Sequence, residues 1–322
     1  AFARQTPVRA RQLVAEAEGA VVVADGLGDP SLRALARWYW AYALKTVGEF
    51  DHARQVNDDA LAIAAEATPV ERWLLSSHVP SFAIASGRFD AAAEAVTELD
   101  HTGESLQQVD TAAFSASIAI NAAVWRGELG DFADAMGLFA DTYPAMPSWR
   151  AGHIWGLCES GRPDEARRLL ADHGLEPRRL VDDVYPLLVV AQLCFVARAL
   201  GDRGLARSCE EVLAPLGGLW SHYGSGVIGP VTWLRGICAE VSGDVDGAVE
   251  RYREALFEAG AVGFDAVALH IRLDLAGAVL RRAGPGDAEL ARGLAEECRL
   301  DAERMHAPRL GARADELLTR AG

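Results

Sequence analysis

Apolar residues along the chain fall at the three-and-four spacing of one helix face, in stretches that stop at a glycine. Leu32 to Val47, Trp73 to Ala85, Ala112 to Leu129 and Leu187 to Leu200 are stretches of this kind. Past the glycine a second amphipathic stretch follows, as in Phe50 to Ala65 and Val245 to Ala259. In the latter, Arg251, Glu254 and Glu258 supply the wet face. Two-residue alternation is absent over any useful length; Val21-Val22-Val23 is short and closes a helical stretch. The pattern predicts an all-α chain of antiparallel helix pairs.

The joints repeat. Gly48-Glu49-Phe50-Asp51-His52-Ala53 returns as Gly87 to Ala92, Gly130 to Ala135, Gly161 to Ala166, Gly201 to Ala206 and Gly243 to Ala248. A degraded copy is Gly286 to Ala291. The glycine ends one helix in the left-handed conformation that costs it least. The acidic residue after it suits the positive start of the next helix, and the alanine lets two helices approach closely. The pattern resembles the second half of the tetratricopeptide repeat, and Gly243 to Leu256, with Ala248, Tyr252 and Ala255, is the best copy. The small residue where helices cross falls at Ala41, Ala123, Cys194 and Gly236, but at Pro80 and Ile154 in the other copies. The resemblance implies one domain over residues 1–322, a tetratricopeptide-like right-handed solenoid of about seven helix pairs. Pro7 to Ala24 reads as a lone helix before the first pair, and Asp301 to Arg320 as a closing cap. Thr102 to Gln108 and Gly217 to Gly226 read as loops.

Composition narrows the function. With 31 basic and 46 acidic residues the formal charge is −15, which disfavours a nucleic-acid surface or an anionic membrane face. Lys45 is the only lysine. Cys158, Cys194, Cys209, Cys238 and Cys298 form no C-x-x-C pair and lie in apolar helical stretches, as small core residues of a reducing cytoplasm do. No apolar run reaches the length of a membrane span. The chain begins at Ala1 with no signal peptide after it, and is expected to be a piece of a longer, cytoplasmic protein.

Catalytic constellations are missing from the sequence: no P-loop, no His-Glu-x-x-His, no Gly-x-Ser-x-Gly. Asp182-Asp183 could form an acid/base pair, but their place before Val184-Tyr185-Pro186 suits capping of a helix start. His270, Arg272 and Asp274 are spaced by two and so face different sides of an ordinary, partly exposed helix. Tyr223-Gly224-Ser225-Gly226 reads as a flexible turn. No enzyme, cofactor or metal site is expected.

Binding is the better signal. The first helix of each pair lines the trough of such an array, and counting back from each glycine places Trp38, Tyr42, Trp155, Phe195 and Trp233 there. Ser77, Ser81, Ile120, Val124 and Ile237 take equivalent positions. Polar Lys45, Asn121, Arg198, Glu240 and Arg281 should line the same trough. Aromatic and arginine side chains are what binding hot spots favour. The rival account places these rings in the core and the binding at loops such as Trp220 to Tyr223.

Val184 to Leu310 carries a further resemblance. Ala199-Leu200-Gly201-Asp202, Leu213-Ala214-Pro215-Leu216, Gly229-Pro230-Val231, Gly260-Ala261 and Leu273-Asp274-Leu275-Ala276 look like the C-terminal helical region of actinobacterial regulators. Those proteins join a STAND-type ATPase to this region and a LuxR-type DNA-binding end or a cyclase start, as in the maltose-regulator class. The resemblance implies a sensor module that binds a small effector or a protein in its concave groove and restrains the ATPase domain of its parent. The alternative is a free-standing scaffold for peptides or partner helices. Parent ATPase and DNA-binding motifs do not occur in this chain.

Overall fold

The computed structural model describes residues 7–180 and 185–322, so Asp182 and Asp183 lie outside the described residues. Helix α1 (Ala10–Leu27) precedes seven helix pairs. These begin with α2 (Pro30–Thr46) and α3 (Phe50–Ala64), then a broken helix α4 and α5 (Pro69–Ser76 and Val79–Ala85) with α6 (Phe89–Ser105). Next are α7 (Thr111–Arg126) with α8 (Ala133–Thr142) and α9 (Pro147–Glu159) with α10 (Pro163–His173). The last three are α11 (Pro186–Leu200) with α12 (Arg203–Leu213), α13 (Val231–Ser242) with α14 (Val245–Ala261), and α15 (Asp265–Arg282) with α16 (Asp287–Arg304). Helix α17 (Pro308–Ala321) closes the chain. The protein is an all-α helical-repeat solenoid.

Local chemistry sets the joints. Gly48, Gly87, Gly161, Gly201, Gly243 and Gly286 all have positive φ. The Asp202 and Asp244 carboxylates accept from the first free amides of α12 and α14. Thr68 and Glu71 form a reciprocal capping box with Pro69 behind the cap. The alanines that follow the glycines are buried at Ala53, Ala92, Ala166, Ala206, Ala248 and Ala291. At Gly236 an added Cβ would lie 2.6 Å from the Tyr252 ring, so the crossing of α13 and α14 needs the missing side chain.

Several expectations change. The joint assigned to Gly130 is made by Gly127, at φ 73°. Gly130 sits in a 3-10 turn, Leu129–Phe132, hard against the backbone of Glu159. That extra turn rotates α8, so Ala135 is exposed while Ala133 and Met136 point inward. Measured from Gly127, the flanking steps become 40 and 34 residues instead of 43 and 31. The stretch from Trp73 to Ala85 is two helices, because Pro80 has no N–H to offer the preceding turn and Ser77 and Ser81 bond back to local carbonyls. Helix α6 runs on to Ser105, through part of the expected loop, and α17 starts only at Pro308, after a positive φ at His306.

One apolar core runs from Ala10 to Leu317, and a small second cluster joins Ala34, Trp38, Ala60, Ala64 and Leu75. The array curls until its last pair returns to its early ones. Helix α15 packs on α5 and α7, and α17 on α7. Phe50 meets Phe264 edge-on at 4.6 Å, and Arg309 bridges to Asp131 at 2.8 Å. Among the described residues no helix is long and apolar enough to cross a membrane.

Candidate functional site

The trough is filled by the chain itself. Trp220–His222 and Val227–Pro230 form strands β1 and β2 of an antiparallel hairpin; β1 lies in the expected loop Gly217 to Gly226, and Tyr223 to Gly226 is its turn. Both strands are buried. A two-stranded ribbon is marginal alone, and its backbone groups need partners once they leave water. The surrounding helices supply them. Asn121 Nδ2 and Trp125 Nε1 both donate to the Val227 carbonyl at 3.1 Å. Ser221 Oγ donates to Leu187 O, and Tyr223 Oη donates to Ser117 O. Trp220 packs edge-on to Phe50 and Phe264. Gly224, at φ 84°, lies so close to His78 that a Cβ would stand 2.5 Å from Nε2.

Lys45 holds the hairpin tip. Its side-chain nitrogen is fully buried, donates to Gly224 O at 3.1 Å and to Ser81 Oγ at 3.2 Å, and stands 4.4 Å from the Phe82 ring centre. Burial pushes its pKa down to about 7. Burial, then the nearby Lys45, likewise holds His78 and His222 well below the ordinary histidine value. Thr46 Oγ1 is 2.8 Å from His222 Nε2, and Tyr42 packs on the His222 ring at 4.4 Å.

Beside the hairpin lies a cavity of about 290 Å³ between α7, the α8–α9 turn, α9 and α11. Its interior is apolar: Ile120, Val124, Met136, Trp155, Leu188 and Ile228 are buried there. Phe114, Tyr143, Trp149 and Tyr185 are partly exposed toward its mouth. Tyr223 and Ser225 of the hairpin line it as well. Gln192 is its buried polar residue on α11, and its Oε1 has no hydrogen-bond partner. Among the described residues no Lys or Arg lines this space.

The nine expected groove residues do not share one surface. Trp38, Tyr42, Trp155, Phe195 and Trp233 are all buried, so they line no open trough. Trp38 packs on His78 in the small cluster, while Tyr42 and Asn121 face the hairpin. Trp155 lines the cavity, stacks on Phe195 at 4.4 Å and donates to Glu159. Phe195 also touches Trp233 edge-on. Arg198 Nη1 and Trp233 Nε1 converge on Asp274 Oδ2, at 2.7 and 2.9 Å. Glu240 pairs with Arg281 at 2.9 Å and accepts from Tyr252 Oη.

Asp274 corrects the expectation of a partly exposed helix, since α15 is buried on nearly every side. Burial alone would raise its carboxyl, but the charges of Arg198 and Arg313 outweigh that and hold it below the ordinary value. The hairpin and Gln192 were missed. For the hairpin a signal was present: the aromatic-rich Trp220-Ser221-His222-Tyr223 and the β-branched Val227-Ile228 flank a glycine-rich turn. Four of the cysteines are buried, Cys158 partly, and Cys194 and Cys238 lie 3.6 Å apart at Sγ. No group of metal-ligating side chains occurs among the described residues. No family model matches the chain, and no curated protein matches it.

Proposed function

We propose that the chain is a non-catalytic sensor module that binds a small effector in the cavity beside its hairpin. The observation that carries this reading is the occupied trough. A repeat scaffold that holds a peptide or partner helix needs an open concave face, and here that face is taken by β1 and β2. What remains is an apolar, aromatic-lined space with few polar groups, the usual form of a small-molecule site. This favours the effector over the peptide scaffold.

The resemblance of Val184 to Leu310 to the helical region of STAND ATPase regulators supports a place in a larger transcriptional or signalling protein. In that setting the module is cytoplasmic and its second partner is the parent's own ATPase domain. The hairpin is the element able to report occupancy, because one side lines the cavity, its tip is held by Lys45 and its second strand by Asn121.

Thermal unfolding tests the reading, with a panel of neutral one- and two-ring compounds and a panel of amphipathic helical peptides. Ala113 lines the cavity from α7, so Ala113→Trp fills it. Compounds should raise the melting temperature of the original chain and leave Ala113→Trp unmoved. Stabilisation by peptides alone, equal in both proteins, would overturn the proposal.

A further inference from the structure

The geometry points to the chemical class of the effector: a neutral, flat, two-ring molecule with one amide-like hydrogen-bonding edge, seated on Gln192. This rests on the proposal that the cavity is the binding site.

Size comes first. An apolar cavity of about 150 Å³ accepts benzene. This one, near 290 Å³, has room for roughly twice that. Shape follows from the walls. Trp155 is fixed by its stack on Phe195, with planes 8° apart, and Trp149 by its stack on Phe139 at 4.7 Å. Flat rigid walls of this kind take aromatic rings at little entropic cost.

Charge is decided by what is missing and what is present. Among the described residues no cation lines the space, so an anion would be desolvated without a partner. The acid Asp110 is exposed at the mouth and leaves the interior neutral.

Gln192 sets the polar edge. It is 8% exposed, and its Oε1 is buried without a hydrogen bond, a state that costs free energy until something pairs with it. Gly152 opposite leaves it room, since a Cβ there would stand 3.1 Å from Nε2. A terminal amide offers two donors and one acceptor, and turning about its last bond exchanges them. Its complement is an edge with an adjacent N–H and C=O, as in a lactam fused to an aromatic ring. Ser117 and Ser225, 3.2 Å apart at Oγ, lie on the same lining and leave a second polar contact near the hairpin.

Calorimetric titration with three probes tests this: 2-quinolone, naphthalene and 2-naphthoate. The original chain should bind 2-quinolone at least tenfold more tightly than naphthalene, and 2-naphthoate most weakly. Gln192→Leu should erase the preference for 2-quinolone while keeping or improving naphthalene binding. Equal binding of 2-quinolone and naphthalene, or a preference that survives Gln192→Leu, overturns the ligand class and leaves the cavity as a site. Tightest binding by 2-naphthoate overturns the neutral class in the same way. If none of the three binds and Ala113→Trp behaves as the original chain, the cavity itself is not a site, and both proposals fall.

Discussion

The last three helix pairs and the two in the middle use the same joint and reach different ends. Helices α11 and α15 are buried along most of their length, and Ala206, Ala248 and Ala291 seat fully where the second helices cross. In the middle, α8 buries Ala133, Met136 and Ala140, and α10 buries Ala166. There the 3-10 turn at Leu129–Phe132 turns Ala135 outward, and a cavity opens between α7, α9 and α11. The regular pairs act as a closely packed frame. The irregular pairs give up close packing, and the hairpin takes only part of the room released. Interiors normally pack near crystal density, so a space of this size beside such a frame is the departure on which the proposed effector site rests.

Breaking the frame should have the largest effect. Asp274 accepts from Arg198, Trp233 and Arg313 inside the core. Asp274→Ala removes the buried acceptor and leaves the partly buried Arg198 guanidinium and the buried Trp233 N–H without it, an effect that costs roughly 2–4 kcal/mol. Chemical denaturation should show that loss. A variant within 1 kcal/mol of the original, to the order of a surface change, would mean the network is not a structural hub.

The knob alanines separate the two regions more finely. Ala248→Leu overpacks a sealed crossing and should cost roughly 1–3 kcal/mol. Ala135→Leu, at the turned-out position, should change stability by less than about 0.5 kcal/mol. If both cost alike, the rotation of α8 is not as described and the repeat phase continues through the middle.

Much of this frame was legible in the residues. The glycine-to-alanine joints gave the pairs, and six of the seven alanines landed inside. The exception shows the limit: Gly127 and Gly130 both precede acidic residues, and nothing local says which of them turns left-handed. The trough was legible only in part. Ile120, Val124 and Trp155 do line the cavity, because helix phase alone places them. The filling of the trough was not, since it depends on a pairing of Asn121 and Trp125 with Val227, about a hundred residues away. Gln192 was equally hidden, as an unpaired amide in an apolar helix is defined by what surrounds it in space.

The hairpin tip offers the mildest way to sharpen the comparison, by proton uptake alone. Lys45 ordinarily titrates near 10.5, and burial lowers it to about 7. Between those values the unfolded chain carries a proton there that the folded chain largely lacks. Stability rises with pH wherever the unfolded state binds more protons. The Lys45 contribution is therefore complete above the unfolded value and is lost as pH falls toward 7, with a slope approaching about 1.4 kcal/mol per pH unit. His78 and His222 act in the same direction lower down, since the unfolded imidazoles take protons below about 6.5 and the buried ones resist. Among the described residues no carboxylate is paired with the amine to offset this; its neighbours are Ser81, the Phe82 ring, the Gly224 carbonyl and the two imidazoles. Buried thiols such as Cys194, pushed well up, begin to oppose the trend above about pH 8.5 as unfolded thiols ionise. The clean window is pH 7 to 8.5, where denaturation midpoints of the original chain should climb. Lys45→Met should remove that climb while leaving the histidine-driven loss below pH 6.5. A slope that persists in Lys45→Met would show that the proton sensitivity lies in other groups and that the tip is not held by Lys45 as a neutral amine.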